Sequence, residues 1–193
     1  ELGYFLETQG FVVDPEDPNI MYISSGRSFD GNQHNVVYKI NNGSFSVYAG
    51  IDNEFGGFAG DGGLAIEANL DFPGGLALDN AGNLHIVDGG NNRIRKINKQ
   101  TGIITTVAGG GSSFVFETPA VDFDLEDMAF NLAIDQSTND IYICGNYNIV
   151  KVGANDVLIR RFIGIGWDTG DSGDSGHPEA MEINPAGIFS YSS

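Results

Sequence analysis

The chain has 193 residues, enough for one domain with a sizeable core, and its 28 Gly, 13 Phe and 7 Tyr against 6 Pro predict many tight turns between short β segments. A formal charge of −17, from 26 acids against 9 Lys and Arg, repels phosphate backbones and excludes a nucleic-acid partner. No apolar run approaches the roughly 20 residues that cross a bilayer as a helix, and the single cysteine, Cys144, reads as an inert thiol in an apolar run.

The first predicted strand is "GFVVD" (10–14), followed by "IMYIS" (20–24), "NVVYKI" (35–40) and "FSVYAG" (45–50). The same four registers return in order as "GLALD" (75–79), "NLHIVD" (83–88), "NRIRKI" (92–97) and "ITTVAG" (104–109). They return again as "NLAID" (131–135), "DIYICG" (140–145), "NIVKV" (148–152) and "IRRFIG" (159–164), and "GIFSY" (187–191) opens a further copy. Phe11, Leu76, Leu132 and Ile188 occupy one repeat position, 65, 56 and 56 residues apart. Each unit is an antiparallel meander of four strands. One such sheet leaves its faces wet, and stacking sheets face to face around an axis buries them, so the fold class is all-β and the architecture a β-propeller. Asp14, Asp79 and Asp135, each closing a first strand, are expected to accept backbone N–H bonds in the following turn.

The stretch 55–109 resembles the NHL repeat. It carries the "GDGG" turn at 60–63, Pro73 before strand one, "D-x-x-G-N" at 79–83, "N-R-I-R-K" at 92–96 and "TVAG" at 106–109. The likeness is looser over 10–50 and 110–164, and it returns in part over 165–191 through "GDSG" and "NPAG". The unit at 110–164 lacks the Gly-Asp turn, so its linker is expected to be built differently. The resemblance implies a propeller, most often six-bladed. The expected organisation is blade 10–50, connector 51–73, blade 74–109, connector 110–130, blade 131–164, connector 165–185 and the start of a next blade at 186–193. Three blades and one strand do not close a ring, and the chain begins at Glu1 without an initiator Met. A fragment of a longer protein, or a ring completed by partner segments, is therefore expected.

The three connectors hold the acids Asp52, Glu54, Asp61, Glu67 and Asp71; Glu117, Asp122, Asp124, Glu126 and Asp127; and Asp168, Asp171, Asp174, Glu179 and Glu182. They contain no Lys or Arg; all 9 cations lie elsewhere. If the connectors run over the same end of the ring, one face is strongly acidic and attracts cations or a basic partner surface; the alternative is a solvated face. Within it, Asp168, Asp171 and Asp174 offer hard oxygens in a Gly-rich loop, which suits Ca²⁺, while a capped turn equivalent to "GDGG" explains Asp174 without metal. Phe55, Phe58, Phe114, Phe116 and Trp167 fall early in the connectors at comparable places, as linker packing or as anchors for a protein partner. Asn42-Gly43-Ser44 is a glycosylation sequon and also a hairpin-turn sequence.

No enzyme constellation is visible. His34, His85 and His177 occupy unrelated repeat positions, unlike the zinc-holding histidines of propeller lyases of this kind. The expected function is a non-enzymatic protein-interaction or scaffold module, extracellular or on the cell surface, meeting a protein partner or neighbouring subunits. The alternative is a propeller lyase or hydrolase with catalytic residues in blades absent from this chain.

Overall fold

The computed structural model describes residues 6–28, 34–52, 55–126, 129, 131–145 and 148–163. Three antiparallel sheets follow one another along the chain. The first is β1 (Leu6–Val13), β2 (Ile20–Ser28), β3 (Val36–Asn41) and β4 (Ser44–Ala49). The second is β5 (Pro73–Leu78), β6 (Leu84–Asp88), β7 (Arg93–Ile97) and β8 (Ile104–Gly109). A two-residue strand β9 (Thr118–Pro119) precedes β10 (Asn131–Ile134), β11 (Ile141–Cys144), β12 (Ile149–Val152) and β13 (Leu158–Ile163). Strand order is sequential in each sheet, except that β9 pairs with the outer edge of β13.

The period of two along each strand decides what each face buries. In the second sheet Leu76, Leu78, Leu84, Ile86, Ile97 and Ile104 form one face and pack with Tyr22, Val37 and Ala49 of the first sheet. Val87, Ile94 and Ala108 lie on the opposite face, in a second core with Leu132, Ile141, Ile143, Val150, Val152 and Ile159 of the third sheet. The first strands stack beside one another, β5 lying against β1 on one side and β10 on the other. Gly10 and Gly75 permit this approach, since a Cβ on Gly10 would sit 2.7 Å from the Gly74 carbonyl oxygen and one on Gly75 would sit 2.8 Å from Asn131 Cα. Polar bonds cross both seams. The Ser24 hydroxyl donates to the Gly74 carbonyl at 2.6 Å, and the Gln136 side-chain amide donates to the Leu78 carbonyl at 2.9 Å. The result is a partial ring of four-stranded blades, in which no sheet closes on itself.

The turn aspartates act as expected. Asp14 accepts from the Glu16 N–H, Asp79 from Ala81 and Asn83, and Asp135 from Ser137 and Thr138.

The first two connectors take a different course from the one expected, and the third, 165–185, lies outside the described residues. The first leaves the outer strand at Gly50 and returns at Asp71 and Phe72 against Gly89 and Gly90 in the β6–β7 loop. Between these points it reaches the opposite end of the sheet, where Gly62 and Gly63 bond Ile104 and Ala65 N–H donates to the Gly102 carbonyl. It therefore runs along the outer strand β8 and covers its unpaired edge rather than gathering its acids at one end of the ring. The second connector follows the same path without the Gly-Asp turn. Leu64 bridges Ile103 in one, and Thr118–Pro119 pairs with Ile159 and Leu158 in the other. Each pairing is followed by a single 3-10 turn, Ala65–Glu67 and Ala120–Asp122. The linker expected to differ does so only before that turn.

Candidate interaction face

The first connector is anchored by a buried polar network. Arg95 and Asp88 are both fully buried and meet at 3.1 Å. Arg95 also bonds the Asp61 carboxylate at 2.7 Å and the carbonyls of Ala59 and Asn69. Asp61 accepts the Thr106 N–H at 3.1 Å, so this candidate partner-face acid is engaged with its own sheet. The Asp88 carboxylate takes the Asp71 N–H at 2.7 Å and the Asn91 amide. Burial pushes the Asp88 carboxyl up, against the opposing pull of the Asp71 N–H, Asn91 and Arg95. Arg95 breaks the apolar alternation of its strand, at the position held by Tyr38 in the first sheet and Val150 in the third. That break was the available sequence signal for a nearby buried acid, and sequence reasoning missed it.

The connector aromatics divide into two classes. Phe58, 44% exposed, packs under two guanidinium groups, with Arg93 3.9 Å and Arg95 4.9 Å from its ring centre. Phe116 lies 5.2 Å from the Phe123 ring and carries Arg161 at 4.9 Å. These two close the connector onto its sheet. Phe55 and Phe114, each five residues beyond a strand-ending glycine (Gly50 or Gly109), are instead 80% and 55% exposed. Trp167 and the three aspartates Asp168, Asp171 and Asp174 lie outside the described residues, as does His177.

A second cluster surrounds Asp79. Asn83 and Lys96 bond its carboxylate, with Lys96 at 3.0 Å, and His85 approaches it at 3.3 Å. Burial raises this carboxyl, but the bonds from His85, Asn83 and Lys96 outweigh it and hold it well below the usual range. Burial pushes the His85 imidazole down, so it is neutral near pH 7. Register aligns His85 with Tyr22 and Tyr142, each directly opposite a lysine: Lys39, Lys96 or Lys151. The repeated "YK", "RK" and "VK" steps on strand three were the sequence trace of this ladder. His34 meets Asp52 at 2.8 Å on the surface. Among the described residues no group of three or more His, Cys, Asp or Glu is placed to hold a metal ion. No helix there is long and apolar enough to cross a membrane.

Asn42 is exposed at the tip of the β3–β4 hairpin, where Asn42 and Gly43 have φ of 49° and 80°. Two consecutive left-handed residues match the turn that suits the twist of a two-residue hairpin.

Several known proteins are similar to this chain. Teneurin-3 of Mus musculus is 33% identical over 102 residues, a match covering 50% of this chain and 4% of the relative. A Bacteroides thetaiotaomicron protein of unknown function has a TM-score of 0.51 and 24% identity, over 74% of this chain and 32% of its own. Virginiamycin B lyase from Staphylococcus aureus has a TM-score of 0.51 at 15% identity, over 87% of this chain and 44% of its own, a likeness of fold alone. The family model described as the teneurin NHL domain matches residues 9–165, most of the length, and the chain belongs to that family.

Proposed function

We propose that this chain is a protein-interaction module of an extracellular or cell-surface protein, and that Phe55 and Phe114 are anchors for its partner. Teneurins are cell-surface proteins, which supports the setting. The observation that carries the docking reading is the division of the connector aromatics. At comparable places in two repeats the second aromatic is stacked under arginine, Phe58 keeping 44% exposure, while the first stands 80% or 55% exposed with no such stacking among the described residues. Packing accounts for Phe58 and Phe116 and leaves Phe55 and Phe114 unexplained. Rigid aromatics at the rim of a fixed scaffold are what a protein partner desolvates on binding.

Binding of the immobilised protein to a panel of purified cell-surface ectodomains tests this. Phe55→Ser and Phe114→Ser are each expected to weaken a positive interaction by about 30-fold, the effect of about 2 kcal/mol, with unchanged melting temperature. Equal binding by the double variant overturns the assignment. In this setting Asn42 is a glycan acceptor. Protein secreted from cultured human cells is expected to lose mass on enzymatic deglycosylation, a shift abolished by Asn42→Gln, and an unshifted wild-type chain overturns it.

A further inference from the structure

The first connector carries one carboxylate that its surroundings leave unmatched. Asp71 is fixed through its backbone: its N–H donates to the Asp88 carboxylate at 2.7 Å, and its carbonyl accepts the Gly90 N–H at 2.8 Å. Its half-buried side chain lies between two glycines, since a Cβ on Gly56 would collide with Asp71 Oδ1 and one on Gly90 would sit 2.5 Å from Asp71 Cγ. Burial pushes this carboxyl up. Among the described residues no donor bonds either of its oxygens. The two arginines of β7 are committed elsewhere, Arg95 to Asp88 and Asp61, and Arg93 to the carbonyls of Asn91 and Gly110.

Exposed aromatics adjoin this carboxylate along both passes of the chain. Phe55 precedes Gly56 and is 80% exposed; Phe72 follows Asp71 and is 42% exposed. Phe72 is held at a φ of 46°, a left-handed conformation rare for a bulky residue, and its N–H donates to Asn35 Oδ1 at 3.0 Å. Backbone strain of this kind collects at ligand-binding places. A carboxylate short of donors beside two exposed rings is completed by a cation, which gives it a charge-assisted hydrogen bond and is attracted to the ring faces. The surrounding charge agrees: the connector 51–73 holds five acids and no Lys or Arg, a field that draws a basic group toward it. A planar guanidinium stacks on rings and bonds a carboxylate through two N–H groups at once, so it fits better than the point charge of an ammonium.

We propose that Asp71, with Phe55 and Phe72, is the receptor for an arginine side chain of the protein partner. This rests on the reading of Phe55 as an anchor and names the group that the anchor receives.

NMR titration of the protein with the peptide acetyl-Gly-Arg-Gly-amide tests it without a partner protein. The peptide is expected to shift the Phe55 and Phe72 ring resonances and to saturate with a Kd of about 1 mM. The citrulline peptide, of the same shape without the charge, is expected to bind at least about tenfold more weakly, and Asp71→Asn to weaken the arginine peptide by about tenfold. Glu67→Gln removes an exposed acid of the same connector, in the 3-10 turn at the other end of the sheet, and is expected to change the Kd by less than about twofold. Near-ultraviolet circular dichroism checks that Asp71→Asn is folded. No saturable shift at these rings, an equal response to the citrulline peptide, or equal losses in Asp71→Asn and Glu67→Gln overturns the proposal. The two readings fail separately. Ectodomain binding that falls with Phe55→Ser, while Asp71→Asn takes up the peptide unchanged, removes the arginine assignment alone. Peptide binding that needs Asp71, while the double phenylalanine variant binds every ectodomain as before, removes the docking reading alone.

Discussion

The Arg95 guanidinium and the Asp88 carboxylate face one another at 3.1 Å with no solvent access to either side chain. Removing one partner strands the other as a buried charge. Arg95→Val is expected to destabilise the protein by about 3–5 kcal/mol, read as a lower urea midpoint. Neither neighbouring repeat places an ion pair here: Tyr38 and Ser25 stand at the Arg95 and Asp88 positions of the first sheet, and Val150 and Gly145 at those of the third. Arg95→Val combined with Asp88→Ser is therefore expected to recover at least about 1 kcal/mol of that loss. A double variant no more stable than Arg95→Val alone refutes the account.

Gly50 directly follows β4 and Gly109 is the last residue of β8, with φ of 90° and 81°. A Cβ at Gly50 would lie 2.4 Å from the Asn35 carbonyl oxygen, and one at Gly109 would lie 2.1 Å from that of Asn92. Alanine at either position meets both an unfavourable backbone and a fixed obstacle, at an expected cost of about 2 kcal/mol or more. Gly43 supplies the control, since its φ is 80° but nothing lies within 4 Å of its added Cβ. Gly43→Ala should cost only about 1 kcal/mol. Thermal melts of the three variants decide the matter, and equal losses at Gly43 and Gly50 count against the steric argument.

Acid sensitivity should arise in two stages. His85 has its pKa lowered by burial, so the unfolded chain binds a proton before the folded one. Its contribution is intact above about pH 6.5 and declines as the pH falls below it. Asp79, held low by His85, Asn83 and Lys96, contributes stability that is intact above about pH 4 and declines below. His85→Tyr imports the residue found at this position in both other sheets and removes the first stage. Urea midpoints measured from pH 7.5 downward should fall less steeply in this variant between about pH 6.5 and 4.5. Identical slopes would show that His85 does not set the first stage.

The strands were readable because four registers recur together, and a slip of one residue in any of them would expose a core face. Leu76, Ile86 and Ile97 are found buried where alternation places them. The turn aspartates were readable for a similar reason, since their partners lie two to four residues away. The connectors were not. Their course depends on hydrogen bonds from Gly62 and Ala65 to a hairpin some 40 residues later, and no periodicity records those pairings. Asp61 and Phe116 seemed free to meet a partner because their cations, Arg95 and Arg161, are distant in the chain. Among the described residues no cation is placed over Phe55 or Phe114, a distinction that needed coordinates.

The edge pairing made by Leu64 and by Thr118–Pro119 changes where one repeat ends and the next begins. A sheet cut out from its first strand onward would lose the segment that shields its own outermost strand. The self-sufficient piece begins just after Gly50 or Gly109 and carries its upstream linker with it. Anyone grafting or permuting these repeats should place the joints there, and a joint placed just before Pro73 should yield material that clumps.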